Sequence, residues 1–142
     1  MLKRLVFLAI AACFALAVGF ADQSNGKVII AVNKTNPTDG KQMFTSYCAP
    51  CHGADGRGNG PAAGALKTPP TDLTGLAKAH HGKYPDNHIV SVLRFGTDVR
   101  AHGSAEMPVW GQIFTRMSKL NAQEKDLRTS NLSRYMETLQ VK

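Results

Sequence analysis

The sequence predicts an all-α fold: one mostly helical domain behind a short extended arm and an export leader. Three observations predict it. Apolar residues recur at helical spacing in segments that open on capping side chains, the single strand-like run has no partner, and glycine and proline gather in one stretch between helical segments. At 142 residues, 43% hydrophobic and 19% charged, the chain suits one globular domain with a modest core.

Residues 1–21 read as a secretory signal peptide. Lys3 and Arg4 form its basic start, Leu5 to Val18 its apolar stretch, and Gly19-Phe20-Ala21 a small-x-small cleavage site, which predicts a periplasmic protein. The apolar run is shorter than the roughly 20 residues of a membrane span. Ile10-Ala11-Ala12-Cys13 resembles a lipobox, so Cys13 is a candidate lipid-bearing residue, although the apolar Phe14 to Val18 behind it is unlike the polar start of a lipoprotein. Losing the leader takes Lys3 and Arg4, and no acid, from the formal +7, so the mature surface stays basic. Export and the lack of any Lys/Arg cluster argue against nucleic acid; the charge suits acidic protein partners, and membrane contact is expected only through a lipid on Cys13 or within a complex.

Residues 22–36 are an arm, whose Val28-Ile29-Ile30-Ala31-Val32 run is short, β-branched and closed by Asn36-Pro37. Residues 37–142 form the domain. Thr38 or Asp39 offers an N-cap for a helix from Lys41 to Tyr47, with Met43, Phe44 and Tyr47 at helical spacing. Gly53 to Pro70 reads as loop, and Thr71 to Thr74 as a short helical turn. Pro85-Asp86-Asn87 caps a helix from His88 to Phe95 that stops at Gly96, with Ile89, Val92 and Leu93 inward. Asn121 with Glu124 resembles a capping box, followed by a terminal helix whose apolar stripe is Leu127, Leu132, Tyr135, Met136 and Leu139.

The chemistry lies in Cys48-Ala49-Pro50-Cys51-His52, the C-x-x-C-H pattern of covalent haem attachment. Two thiols three residues apart can each add across one vinyl group of a haem lying over a helical turn, and the adjacent imidazole then stands under the iron. The macrocycle also supplies core to a small exported domain that has no disulfide framework. A thioredoxin-like dithiol would need alternating strands and helices, and a structural zinc site four ligands; His80 and His81 make no second paired motif.

The chain resembles the class I c-type cytochromes, the group that includes oxidase haem subunits and small periplasmic carriers. The resemblance is carried by Gly40, Phe44, Cys48 to Gly53, Gly60-Pro61, Met107-Pro108-Val109-Trp110-Gly111, Leu132 and Tyr135. It implies three to five helices wrapped around one covalent haem c, held at Cys48 and Cys51, with His52 as proximal iron ligand and Met107 as distal ligand. It also implies that the Pro61 carbonyl orients the His52 ring, or else that Pro61 is an ordinary turn proline. Gly40 and Phe44 are expected to meet Leu132 and Tyr135 where the first and last helices cross, and Trp110 to pack at the haem edge, bond a propionate or simply fill core. A thioether independently suits the role of Met107, since it favours ferrous iron and raises the potential. His102 is the rival; Met43, Met117, Met136, His80, His81 and His88 read as packing or surface.

Three functions are open on this reading. The first is a one-electron carrier, not an enzyme, docking with redox proteins (a reductase and an oxidase or dehydrogenase) and steered by bases such as Lys41, Arg57 or Lys67. The second is a haem relay subunit of a larger oxidoreductase complex. The third is a peroxidase or small-gas sensor, which needs an open iron site.

Overall fold

The structure is a computed structural model that describes residues 32–96, 107–118 and 121–141. The leader with Cys13, His102 and all of the Val28–Val32 run except Val32 lie outside the described residues.

One helical stretch runs from Gly40 to His52 in three parts: α1 (Gly40–Met43), a π-helical turn (Phe44–Cys48) and α2 (Ala49–His52). Asp39 starts it, its carboxylate accepting from the Gln42 amide at 2.8 Å. The wide turn is defined by the Ala49 amide donating to the Phe44 carbonyl, five residues back. The stretch continues five residues past Tyr47, through the cysteine pair, and Pro50 falls in the first turn of α2, where its fixed φ suits helical winding. Gly53, at φ 79°, ends it.

A 3₁₀ turn (Leu73–Gly75), capped by Asp72, leads into α3 (Leu76–Ala79). α4 (Asp86–Phe95) begins two residues ahead of its expected start, with Pro85 rather than a polar side chain at the cap, and stops at Gly96, φ 80°. α5 (Trp110–Met117) has no counterpart among the helices expected from sequence, although Trp110, Ile113, Phe114 and Met117 fall at helical spacing; no capping side chain marks its start. α6 (Ala122–Thr138) opens at Asn121, whose side chain accepts from the Gln123 and Glu124 amides. The capping box is only half formed, because the Glu124 carboxylate turns to Arg128.

The described residues form helices and turns with no strand, and α6 is the spine on which α1, α4 and α5 pack. α1 crosses it closely. A Cβ on Gly40 would run into the Asn131 carbonyl oxygen and stand 2.9 Å from Tyr135 Cβ, and the Phe44 and Tyr135 rings lie 5.2 Å apart. Met43, Phe44, Tyr47, Leu93, Phe114 and Leu132 fill the core. On α6 the inward face is Arg128, Thr129, Leu132, Ser133 and Met136, while Leu127 is 41% exposed. Arg128, not Leu127, stands one full turn before Leu132, so the helix buries the arginine and turns the leucine out.

Candidate functional site

Cys48 closes the π-helical turn and is buried; Cys51 and His52, in α2, are half-buried. Both cysteines are free thiols. Burial, with Cys51 alongside, pushes the Cys48 thiol up to about 12, and burial raises Cys51 as well, so both stay protonated at neutral pH. The His52 Nδ1 lies 2.9 Å from the Thr71 carbonyl. A carbonyl only accepts, so Nδ1 carries the proton and Nε2 keeps its lone pair. Burial lowers the His52 pKa against the opposing pull of that hydrogen bond, which favours the neutral imidazole a metal ligand requires.

The glycine-rich loop folds back to hold this helix end. Gly58, Gly60 and Ala62 donate their amides to the carbonyls of His52, Cys51 and Pro50 at 2.7, 3.0 and 2.8 Å, which satisfies acceptors that a helix terminus leaves open. Gly60 has no room for a side chain, because a Cβ would collide with the Ala49 and Pro50 carbonyls. The 70–73 segment then lies along the loop: Leu73 donates to the Gly56 carbonyl at 2.7 Å, and a Cβ on Gly58 would strike the Pro70 carbonyl. That crossing brings Thr71 to His52. The ring's partner is therefore Thr71, not the expected Pro61, which is exposed where the chain leaves the loop.

Met107 is half-buried against the core, three residues ahead of α5. Trp110 is 2% exposed and packs against two rings, 5.3 Å from Tyr47 and 5.7 Å from Phe114. Of the expected non-ligands, Met43 and Met136 are buried in the core and Met117 packs against it, while the exposed His80 and His88 rings face each other at 6.2 Å. Among the described residues, no group of three or more His, Cys, Asp or Glu is placed to hold a metal ion. Two neutral thiols beside an imidazole with Nε2 free suit a macrocycle attached through sulfur with the ring under its iron, so these three residues fit haem better than a four-ligand zinc site.

A family model described as Cytochrome c matches residues 37–140. The chain belongs to the cytochrome c family. Searches of the curated proteins and of the solved structures return no match. As a cytochrome c, the protein binds haem and serves haem-based electron transfer, and its all-helical architecture is the class I cytochrome c fold.

Sequence reasoning missed three residues around the site of this cytochrome c. Thr71 contributes only its carbonyl, which every residue owns, although the Asp72 cap beside it marked the turn. Tyr47 was legible as core but not as a hydrogen-bonding residue, and Arg128 had no signal beyond its spacing from Leu132.

Proposed function

We propose that this cytochrome c is an exported one-electron carrier that holds a single haem c through thioethers at Cys48 and Cys51, with His52 and Met107 as its axial ligands. The observation that carries this is the His52 ring, fixed by the Thr71 carbonyl at 2.9 Å with Nε2 unblocked, one residue beyond a pair of free, protonated thiols. Cys48 and Cys51 would hold the haem by adding across its vinyl groups, each sulfur bonding one vinyl carbon and the thiol hydrogen going to the other, which would consume no oxidant. Bound haem supplies a reversible one-electron couple. The polypeptide supplies the rest. Thr71 holds the imidazole plane, the Gly58 and Gly60 amides hold the helix end, and the thioether of Met107, packed at the core margin, is the soft neutral donor that favours the reduced state.

The leader at 1–21 supports export to the periplasm, and the basic surface supports transient docking with acidic redox proteins. The test uses protein made with haem-attachment machinery. The pigment should resist extraction into acidified acetone, and a pyridine haemochrome should count one haem with two thioethers. Met107→Ala should abolish the weak near-infrared sulfur-to-iron band, lower the potential and admit carbon monoxide to the ferrous form. An unchanged spectrum removes Met107 from the iron, and carbon monoxide binding by the unaltered protein would favour the sensor or peroxidase reading.

A further inference from the structure

Thr35 precedes the family match by two residues, yet it is 7% exposed and sits at the centre of a buried polar junction. Its hydroxyl lies 2.7 Å from the Tyr47 hydroxyl and 3.0 Å from Arg128 Nη1, and its carbonyl accepts from Arg128 Nη2 at 2.9 Å. The Tyr47 hydroxyl donates to the Asn33 carbonyl. Proton counting fixes the direction. Tyr47 spends its only proton on Asn33, so it accepts from Thr35, and Thr35 accepts from the guanidinium. The result is one directed chain from Arg128 through Thr35 and Tyr47, buried along those three side chains and reaching the surface at the Asn33 carbonyl; buried chains of this kind hold side chains in a single arrangement.

The Tyr47 ring belongs to an aromatic triangle, its centroid 5.3 Å from Trp110 and 5.8 Å from Phe114, which are themselves 5.7 Å apart. Tyr47 stacks on Trp110 with ring planes 29° apart, Trp110 stacks on Phe114, and the Arg128 guanidinium carbon lies 5.8 Å from the Phe114 centroid. Tyr47 immediately precedes Cys48, and Trp110 follows Met107 by three residues. Met107 itself is only half-buried at the margin of the core. The start of α5 behind it is held hard: Trp110 is buried, and Gly111 lies so close to the Arg94 backbone that a Cβ would collide with it.

We infer that the Asn33–Thr35 arm is a positioning element for the sixth iron ligand, acting through the Tyr47 hydroxyl and the Tyr47–Trp110 stack to fix where Met107 presents its sulfur. The inference rests on Met107 being that ligand. A thioether bond to iron is weak enough that the anchoring of its segment decides how often it opens. Here the anchor is Trp110, and the rotation of the ring it leans on is set by hydrogen bonds to the arm. Thr35, Tyr47 and Trp110 are positioning residues, acting on the iron only through Met107.

The experiment uses the haem-loaded full chain as Thr35→Val, Tyr47→Phe and, as a conservative control, Thr35→Ser. Two readouts are taken: the ferric sulfur-to-iron band against temperature beside the far-ultraviolet helix signal, and carbon monoxide binding by the ferrous form. Thr35→Val and Tyr47→Phe should lose the band well below the temperature at which helix is lost, and bind carbon monoxide about fivefold more readily, the worth of one hydrogen bond. Thr35→Ser should match the wild type. Band and helix vanishing together in both variants, with carbon monoxide binding unchanged, would mean that the arm only stabilises the fold and would overturn the inference alone. A wild type without the band would overturn the Met107 assignment and this inference with it.

Discussion

At the residue scale, the site depends on backbone groups delivered by capped turns. Asp72 is the clearest case: its carboxylate accepts from the Thr74 amide at 2.8 Å and the Thr74 hydroxyl at 2.7 Å, closing the turn that comes after Thr71. The Thr74 hydroxyl and amide, with Arg57 nearby, hold its carboxyl below the ordinary 3.8. Asp72→Ala should cost about 1 kcal/mol, as loss of a helix cap does. Because the folded-state pKa is depressed, the contribution is present above 3.8 and fades as pH falls through the lowered value. Thermal melts should show the gap between wild type and variant closing in acid; a gap constant with pH would assign the loss to shape rather than charge. The same scale explains what the sequence revealed. Cys48, Cys51 and His52 were legible because side-chain type and spacing are the chemistry. Thr71 was not, because its contribution is a carbonyl placed by the fold, and the resemblance pointed instead to Pro61.

At the element scale, close approach and burial set the architecture. Gly40 lets α1 lie on α6, and the obstacle to a side chain there is the Asn131 carbonyl, which is backbone and cannot swing aside. Gly40→Ala should therefore cost about 2–3 kcal/mol, toward the upper end of overpacking, in denaturant titrations. A cost below about half a kilocalorie would mean that the helices slide apart freely. On α6, Arg128 is fully buried and pairs with Glu124 at 2.7 Å. Removing one member of a fully buried pair costs about 3–5 kcal/mol, but Glu124 is 24% exposed and can rehydrate, so Arg128→Met should cost about 2 kcal/mol. A variant as stable as wild type would show the pair to be dispensable. Helix starts at Asp39, Asn121 and near Pro85, and the stop at Gly96, were readable from capping chemistry. α5 was missed although its apolar residues keep helical spacing, because Val109 gives no capping signal at its start, and the inward turn of Arg128 breaks the simple apolar pattern, tolerable because the arm hydrogen-bonds it.

At the scale of the whole molecule, the proposed carrier keeps a net positive charge after Lys3 and Arg4 depart with the leader, and on that reading the charge steers encounter with acidic partners. Stopped-flow electron transfer with an acidic redox protein should slow as ionic strength rises from about 10 to 150 mM, over which the screening length falls from roughly 30 to 8 Å. Rates independent of salt would set electrostatic docking aside. The order of events along the chain has its own bearing on the site. The wide turn at Phe44–Cys48 takes in one residue more than a regular turn, its five residues winding about as far as four would in an α-helix, so the part of the stretch that meets α6 and the part that carries the thiols and imidazole keep their relative facing. A variant one residue shorter within 44–48 would keep Cys48, Cys51 and His52 in place, whereas forcing the same five residues into regular α winding would swing them together by about a quarter revolution. The attachment triad would then survive intact in composition while facing away from the cofactor it is meant to hold.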